Sequence, residues 1–540
     1  MGKLIEVIDL GISFHNREVV KRVSFSLEQG QTTALVGESG SGKSISAMTL
    51  LQLLPTNGLK YTHGEIRFFP PLSESPLVVN PSDSRIADFR GNGISVIFQE
   101  PMTALNPSLT IGYQIAEAVK IATACPWKEA TERSLGLIRE VQIPSPEQSI
   151  NKYPHELSGG QRQRAMIAMA LASDPKVLIA DEPTTALDPT VQMAVLQLIK
   201  ELQAKRQMAV LFITHDLHVV KQLADHVVVM KSGEVVESGK AREVLSSPQH
   251  EYTQGLLACR PNGETRMSVL PTLNDRHPSG NFEFPKTEKL VLKVDGITKV
   301  YPKQITPAVN AVSFEIKANE TFGLIGESGC GKTSLSRMLL GLMPPTAGQV
   351  MWENELLVSK DQAFPFEMRK HIQMVFQDPF ASLNPRQRIS DTLTEPLFVH
   401  RLVKSKKEAL ERAAHLLELT GLSAEALEKY PHNFSGGQRQ RIVIARALST
   451  EPKLLVCDEA VAALDVSVQA QVLNLLNELK SKLGLSLLFI SHDMNVVYHM
   501  SNRVMVMQKG VIQEMGDAEQ VFKRPNSEYT RALLASASFV

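Results

Sequence analysis

The chain has 540 residues, a length that predicts several domains at roughly 100–200 residues each. Hydrophobic residues make up 43% and charged residues 21%, the balance of an ordinary globular protein. Lys plus Arg and Asp plus Glu are both 57, so the formal charge is zero and the basic excess that phosphate contacts demand of a nucleic-acid binder is missing overall.

Four cysteines, Cys125, Cys259, Cys330 and Cys457, are too scattered for a C-x-x-C metal pair or a disulfide framework. No stretch approaches the roughly 18–20 apolar residues that span a bilayer. The opening MGKLIEVIDLGISFHNREVV lacks a signal-peptide layout. The chain is expected to be soluble by itself, with any spanning helices supplied by other chains.

An internal repeat sets the domain count. HELSGGQRQRAMIAMALASDPKVLIADEP returns as HNFSGGQRQRIVIARALSTEPKLLVCDEA, and Ser158/Ser435, Glu182/Glu459, Asp188/Asp465 and His215/His492 are all 277 apart. Upstream the offset changes, to 278 at Gln99/Gln377 and 289 at Lys43/Lys332. The first half therefore carries extra residues around 55–64 and within FFPPLSESPLVVNPSDS, which read as surface loop extensions. A Pro-, Gly- and Asn-rich join without helical periodicity predicts a domain at 1–260, a linker at 261–289 and a second domain at 290–540.

In chain order, the strand TTALV leads into GESGSGKS, residues 37–44; the second half has TFGLI and GESGCGKT, 326–333. Both fit G-x-x-x-x-G-K-[ST] between a strand and a helix. Such a loop curls its N–H groups toward phosphate oxygens, and the helix behind it adds a positive end. The expected nucleotide contacts are Gly37, Glu38, Ser39, Gly40, Ser41, Gly42, Lys43 and Ser44, and then Gly326, Glu327, Ser328, Gly329, Cys330, Gly331, Lys332 and Thr333. Each lysine should reach the β- and γ-phosphates of ATP, and Ser44 and Thr333 should ligate Mg²⁺. The runs KVLIADE and KLLVCDE read as buried parallel strands with acids at the C-terminal edge. Asp181 and Asp458 suit the metal shell, and Glu182 and Glu459 suit activation of the attacking water. His215 and His492 end further apolar strands, each 33 residues after its glutamate, as γ-phosphate contacts.

The motif SGGQ stands 24 residues before each glutamate. With it the sequence resembles the ATP-binding cassette superfamily over nearly the whole chain. The resemblance implies an α/β fold of two tandem P-loop domains, each with a mixed, largely parallel core sheet, an antiparallel β subdomain and a helical subdomain. It also implies that Ser158, Gly159, Gly160 and Gln161 close over nucleotide held by the second cassette, and Ser435, Gly436, Gly437 and Gln438 over nucleotide held by the first. By the same resemblance Gln99 and Gln377 touch Mg²⁺ and sense a membrane partner, while Phe14 and Tyr301 stack on adenine. Ala460 in AVAALD, against PTTALD in the first half, and Phe434 for Leu are departures that remove no catalytic group. Two competent sites are expected. Cys330 is either a thiol-sensitive point or simply a small residue that fits.

The segments QEPMTALNPSLTIGYQIAEAV and QDPFASLNPRQRISDTLTEPL, and the tails SSPQHEYTQGLLACRP and KRPNSEYTRALLAS, are similar to the oligopeptide/dipeptide importer ATPases. That resemblance implies a peripheral ATPase on the cytoplasmic face of a bacterial inner membrane. Its expected partners are two integral permease subunits and, through them, an extracytoplasmic peptide-binding protein, with one fused copy per transporter and no nucleic acid. The fused form resembles the Yej-type peptide and microcin C importers; fused glutathione- or sugar-importer ATPases are the alternatives. The short Pro-rich join is unlike the long charged linker of ribosome-associated tandem cassettes. No iron–sulfur cluster or zinc is expected, because only Cys259 lies near a tail.

Overall fold

In a computed structural model, the structure describes residues 2–184, 187–261, 263, 266–273, 275, 288–302, 304–462 and 464–536. The chain divides into two compact units, Met1–Leu187 with Val191–Leu257, and Ala258–Val540 with Asp188–Thr190.

Each unit is built on a six-stranded sheet. In the first the order is Glu234–Lys240, His226–Lys231, Thr32–Val36, Ala209–Thr214, Val177–Asp181, Ile94–Ile97. All neighbours are parallel except the antiparallel edge pair of Glu234–Lys240 with His226–Lys231. The second unit repeats it with Val511–Asp517, Arg503–Gln508, Thr321–Ile325, Ser486–Ile490, Leu454–Asp458 and Ile372–Val375. The central strands Thr32–Val36, Val177–Asp181 and Ala209–Thr214 are buried at every residue, as a parallel sheet covered on both faces requires.

Alternation along these strands assigns the two faces. Leu35, Val177, Ile179, Leu211 and Ile213 point into a core shared with a four-stranded antiparallel sheet. Leu178, Ala180, Val210 and Phe212 point into a core shared with the helices Ile111–Thr123, Trp127–Glu140 and Gly159–Leu171. Each fully buried aliphatic or aromatic chain contributes about 1.5–3 kcal/mol, so these two cores hold the sheet edge that carries the site. The second unit has the same division, with Leu454, Val456 and Leu488 on one face and Leu455, Cys457 and Phe489 on the other.

The extra residues of the first unit are not simply surface loops. Leu59–Phe68 is one strand of the antiparallel sheet, pairing Phe14 with Leu59 and Ile12 with Tyr61. Leu59 and Tyr61 pack against the core while Lys60 and Thr62 are exposed, a period of two that makes 59–64 strand rather than loop. The Pro/Ser-rich stretch begins with buried Phe68, stacked on Phe89 at 4.1 Å, and includes the short strand Leu77–Val79; residues 69–76 alone join the two strands. In the second unit the matching strands Ala347–Trp352 and Glu355–Ser359 are joined through Glu353 and Asn354, both at positive φ.

Part of the stretch read as a linker packs on the second unit. Leu270 is buried in its helical-side core, as is Cys259 just before the stretch. The Leu270 N–H donates to Asn474 Oδ1 at 2.8 Å, and Asn474 Nδ2 donates back to the Leu270 carbonyl at 2.9 Å. The Arg266 guanidinium lies 4.2 Å from the Tyr498 ring centroid. Residues 276–287 lie outside the described residues.

Candidate nucleotide sites

Both glycine-rich loops leave the C-terminal end of a buried strand and run into a helix, Thr32–Val36 into Lys43–Thr49 and Thr321–Ile325 into Lys332–Leu339. Gly37, Gly40 and Gly42 all hold positive φ, as do Gly326, Gly329 and Gly331. The first glycine is sterically obligatory: a Cβ on Gly37 would stand 2.1 Å from the Met230 carbonyl oxygen, and on Gly326 2.3 Å from that of Met507. Gly40 and Gly329 face open space, so the loop crest is clear for a ligand.

Lys43 is buried, and its ammonium donates to the Gly37 carbonyl at 2.7 Å, the Glu38 carbonyl at 2.8 Å and Ser41 Oγ at 3.4 Å. Lys332 does the same to Gly326 at 2.6 Å and Glu327 at 3.0 Å, with Cys330 Sγ 3.8 Å away. Each loop thus stores a buried cation that phosphate oxygens can take over from carbonyls. Ser39 and Ser328 are exposed at the crests.

Ser44 Oγ donates to Asp181 Oδ1 at 2.9 Å. Burial raises the Asp181 pKa, against the pull of that hydroxyl. Asp458 is pushed up to about 6, by burial first and then by the charge of Glu459. Thr333 follows Lys332 as Ser44 follows Lys43, and is exposed. Hydroxyl, buried carboxylate and lysine at the mouth of a phosphate-sized cradle are the donor set for Mg²⁺-bound triphosphate.

Glu182 and Glu459 follow their strands with φ of 44° and 49°, a left-handed backbone that non-glycine residues seldom adopt. Their N–H groups donate to the Ile213 and Ile490 carbonyls, so the next strand holds the strained turn. Gln99 Nε2 donates to Glu182 Oε2 at 3.0 Å, and His215 Nδ1 lies 3.1 Å from Oε1. Gln377 Nε2 donates to Glu459 Oε2 at 2.6 Å, with His492 Nδ1 at 3.6 Å. Burial pushes Glu459 up, but His492, Lys332 and Gln377 outweigh it and hold the carboxyl below its ordinary range. For His492 burial is likewise overcome by Glu459, and its pKa rises. An ionised acceptor beside a hydrogen-bonded imidazole can orient and deprotonate a water. Gln99 and Gln377 are directed at these glutamates.

The SGGQ segments begin the helices Gly159–Leu171 and Gly436–Leu448. Ser158 Oγ accepts from the Gln161 N–H at 3.3 Å while Gln161 Oε1 accepts from the Ser158 N–H at 3.1 Å; Ser435 and Gln438 repeat this at 3.4 and 3.1 Å. Such reciprocal caps stabilise a helix start by about 1 kcal/mol, and they use one acceptor oxygen of each side chain. The two glycines differ. A Cβ on Gly160 would meet Val191 Cγ1 at 2.4 Å, and on Gly437 Val468 Cγ1 at 2.2 Å, whereas Gly159 and Gly436 have nothing within 3.4 Å. The second glycine is needed for packing, and the first leaves room at the helix end.

The two aromatics also differ. The Tyr301 hydroxyl is 2.9 Å from Ser334 Oγ, beside the second phosphate loop. Phe14 ends its strand and packs on the core of the antiparallel sheet. Cys330 is buried, and burial raises its thiol pKa, which disfavours the reactive thiolate. Cys457 is fully buried, and burial and then Asp458 push its thiol up to about 12. Sequence reasoning quoted Tyr252 and Tyr529 within the tails but gave them no role; both lie against the phosphate-loop glutamates.

The ABC transporter family matches residues 20–185 and 309–462. The oligopeptide/dipeptide transporter C-terminal region matches 236–283 and 513–538. Similar relatives are the glutathione import ATP-binding proteins GsiA of Salmonella paratyphi A (strain ATCC 9150 / SARB42) and of Shigella boydii serotype 4 (strain Sb227). Each is 43% identical over 559 residues, covering 99% of this chain and 89% of the relative. Among solved structures, the post-hydrolysis dimer of the ATP-binding cassette MJ0796 bound to ADP and Pi is 28% identical over 42% of this chain and 98% of its own, with a TM-score of 0.38. With the family pattern in both halves and such relatives across almost its whole length, the chain belongs to the ABC transporter family, as an ATP-hydrolysing, ATP-binding subunit of an importer of the oligopeptide/dipeptide class.

Proposed function

We propose that the chain hydrolyses Mg-ATP at two competent sites to drive peptide import through a separate two-subunit permease, at the cytoplasmic face of a bacterial inner membrane. The observation that carries this reading is the oligopeptide/dipeptide C-terminal region at the end of both cassettes. In this reading Lys43 and Lys332 leave their loop carbonyls for the phosphates. Ser44, Asp181 and Gln99, with Thr333, Asp458 and Gln377, would hold Mg²⁺, which would supply neutralisation of phosphate charge. Glu182 and Glu459 take the proton of the attacking water, and His215 and His492 orient the γ-phosphate. Residues Ser158–Gln161 and Ser435–Gln438 act on nucleotide held by the other cassette, through the N–H groups at their helix ends. Tyr301, and less strongly Phe14, stack on adenine.

The cargo is a small peptide or peptide-like compound, of which microcin C-type molecules are one class. Glutathione is the second reading, favoured by the name carried by relatives 43% identical to this chain. One copy serves one transporter, with an extracytoplasmic binding protein delivering cargo. The test is purification of the tagged chain from detergent-solubilised membranes. Recovery with two integral membrane subunits, one of each per chain, is expected; sedimentation with ribosomes and not with membranes contradicts the proposal.

A further inference from the structure

Each cassette ends in a tail that returns to its own phosphate loop, and the attachment is the same in both. In the first, Glu237 on the edge strand accepts from two successive tail N–H groups, Gln249 at 2.8 Å and His250 at 3.1 Å. In the second, Glu514 accepts from Asn526 at 2.8 Å and Ser527 at 3.1 Å. The residues whose backbones are held differ between the halves, but the holding glutamate and the tyrosine that follows recur 277 residues apart.

That tyrosine reaches the loop. Tyr252 is buried. Its hydroxyl accepts from the Glu38 N–H at 3.3 Å and donates to Glu38 Oε2 at 3.3 Å. The Glu38 carbonyl in turn accepts from the Lys43 ammonium. In the second cassette Tyr529 lies against the backbone and side chain of Glu327, whose carbonyl accepts from Lys332.

We infer that Tyr252 and Tyr529 are positioning residues for nucleotide binding, through which the importer-specific tail sets the phosphate loop via Glu38 and Glu327. The inference rests on the reading of Gly37–Ser44 and Gly326–Thr333 as phosphate loops. By fixing the first turn of the loop at both backbone and side chain, Tyr252 presets the cradle that the Lys43 ammonium must leave when phosphate arrives. The tyrosine touches no reacting atom, so its removal acts on capture of nucleotide and not on the chemical step.

The test is steady-state ATP turnover and Mg-ATP titration on the full chain carrying Tyr252→Phe, Tyr529→Phe, Glu38→Gln, or Tyr252→Phe with Glu38→Gln. Tyr252→Phe is expected to raise the KM for Mg-ATP about fivefold, through loss of the two long hydrogen bonds of its hydroxyl, with kcat within about twofold. The melting temperature without nucleotide should stay within about 2 °C. Tyr529→Phe should raise KM in the same way, through the second cassette. The double variant should be less than additive, because Glu38→Gln weakens one of the two hydrogen bonds that Tyr252→Phe removes. An unchanged KM in folded Tyr252→Phe, a fall in kcat at constant KM, or strictly additive effects with Glu38→Gln would overturn the inference. Lys43→Met in the same assay separates the two readings: loss of nucleotide from the first cassette supports the phosphate loop, whereas retained binding removes that reading and this inference with it.

Discussion

In the first cassette Ser41 places an oxygen 3.4 Å from the Lys43 ammonium, and Ser44 donates to Asp181. In the second a thiol, Cys330, stands 3.8 Å from Lys332, and Asp458 rises to about 6. The glutamates differ in both directions, with the shorter Gln–Glu bond in the second cassette and the shorter His–Glu contact in the first. The strands, the positive-φ glycines and the strained glutamates are the same in both. The backbone frame is thus kept in common while the polar contacts around it vary.

The largest expected departure from equivalence lies behind the second site. His499 is fully buried in the helix Met494–Met500, with neither ring nitrogen hydrogen-bonded. Burial, then the charge of Arg266, pushes its pKa down to about 4. The first cassette has Gln222 at the matching position. Below the ordinary histidine pKa of about 6.5 the unfolded chain takes up a proton that the folded chain refuses. Stability is therefore full above that pH and falls as pH drops toward 4, by on the order of 3 kcal/mol. Calorimetric unfolding between pH 7 and 4 should show the second unit weakening, and His499→Gln should flatten that slope. An unchanged slope in the variant would assign the acid sensitivity elsewhere.

A smaller contrast concerns the aromatics. Tyr301→Ala is expected to weaken nucleotide binding about fivefold, the worth of one stacking contact. Phe14→Ala should instead lower the melting temperature, because its ring packs on the core. Equal losses of affinity from both would make the two positions equivalent after all. The smallest effect is at Cys330: alkylation of the folded chain should run at least about tenfold slower than after unfolding, as expected of a buried thiol with a raised pKa. Rapid labelling with loss of turnover would restore the thiol-sensitive alternative.

Much of the site was legible because its parts are local. A buried apolar strand, a glycine loop and a helix are contiguous in sequence, and the acids close a strand two places away in the same sheet. What escaped depended on distant partners. Leu59–Gly64 looked like a loop because its alternation is weak, and pairing with Ile12 and Phe14 makes it strand. The SGGQ segments read as helix starts that offer backbone donors to a nucleotide, and the reciprocal cap between Ser158 and Gln161 is a further, structural role of the same residues. Gly160 was read the same way, and its close approach to Val191 becomes visible only in three dimensions. The bond from Tyr252 to Glu38 joins residues 214 apart in sequence.

The central claim, two working hydrolytic sites with Glu182 and Glu459 as their bases, is tested most directly by ATP turnover of Glu182→Gln, Glu459→Gln and the double variant, alongside Mg-ATP binding. The account predicts that each single change lowers turnover and that the double change reduces it at least about 100-fold, with nucleotide still bound. Turnover persisting in a folded, ATP-binding double variant would contradict it.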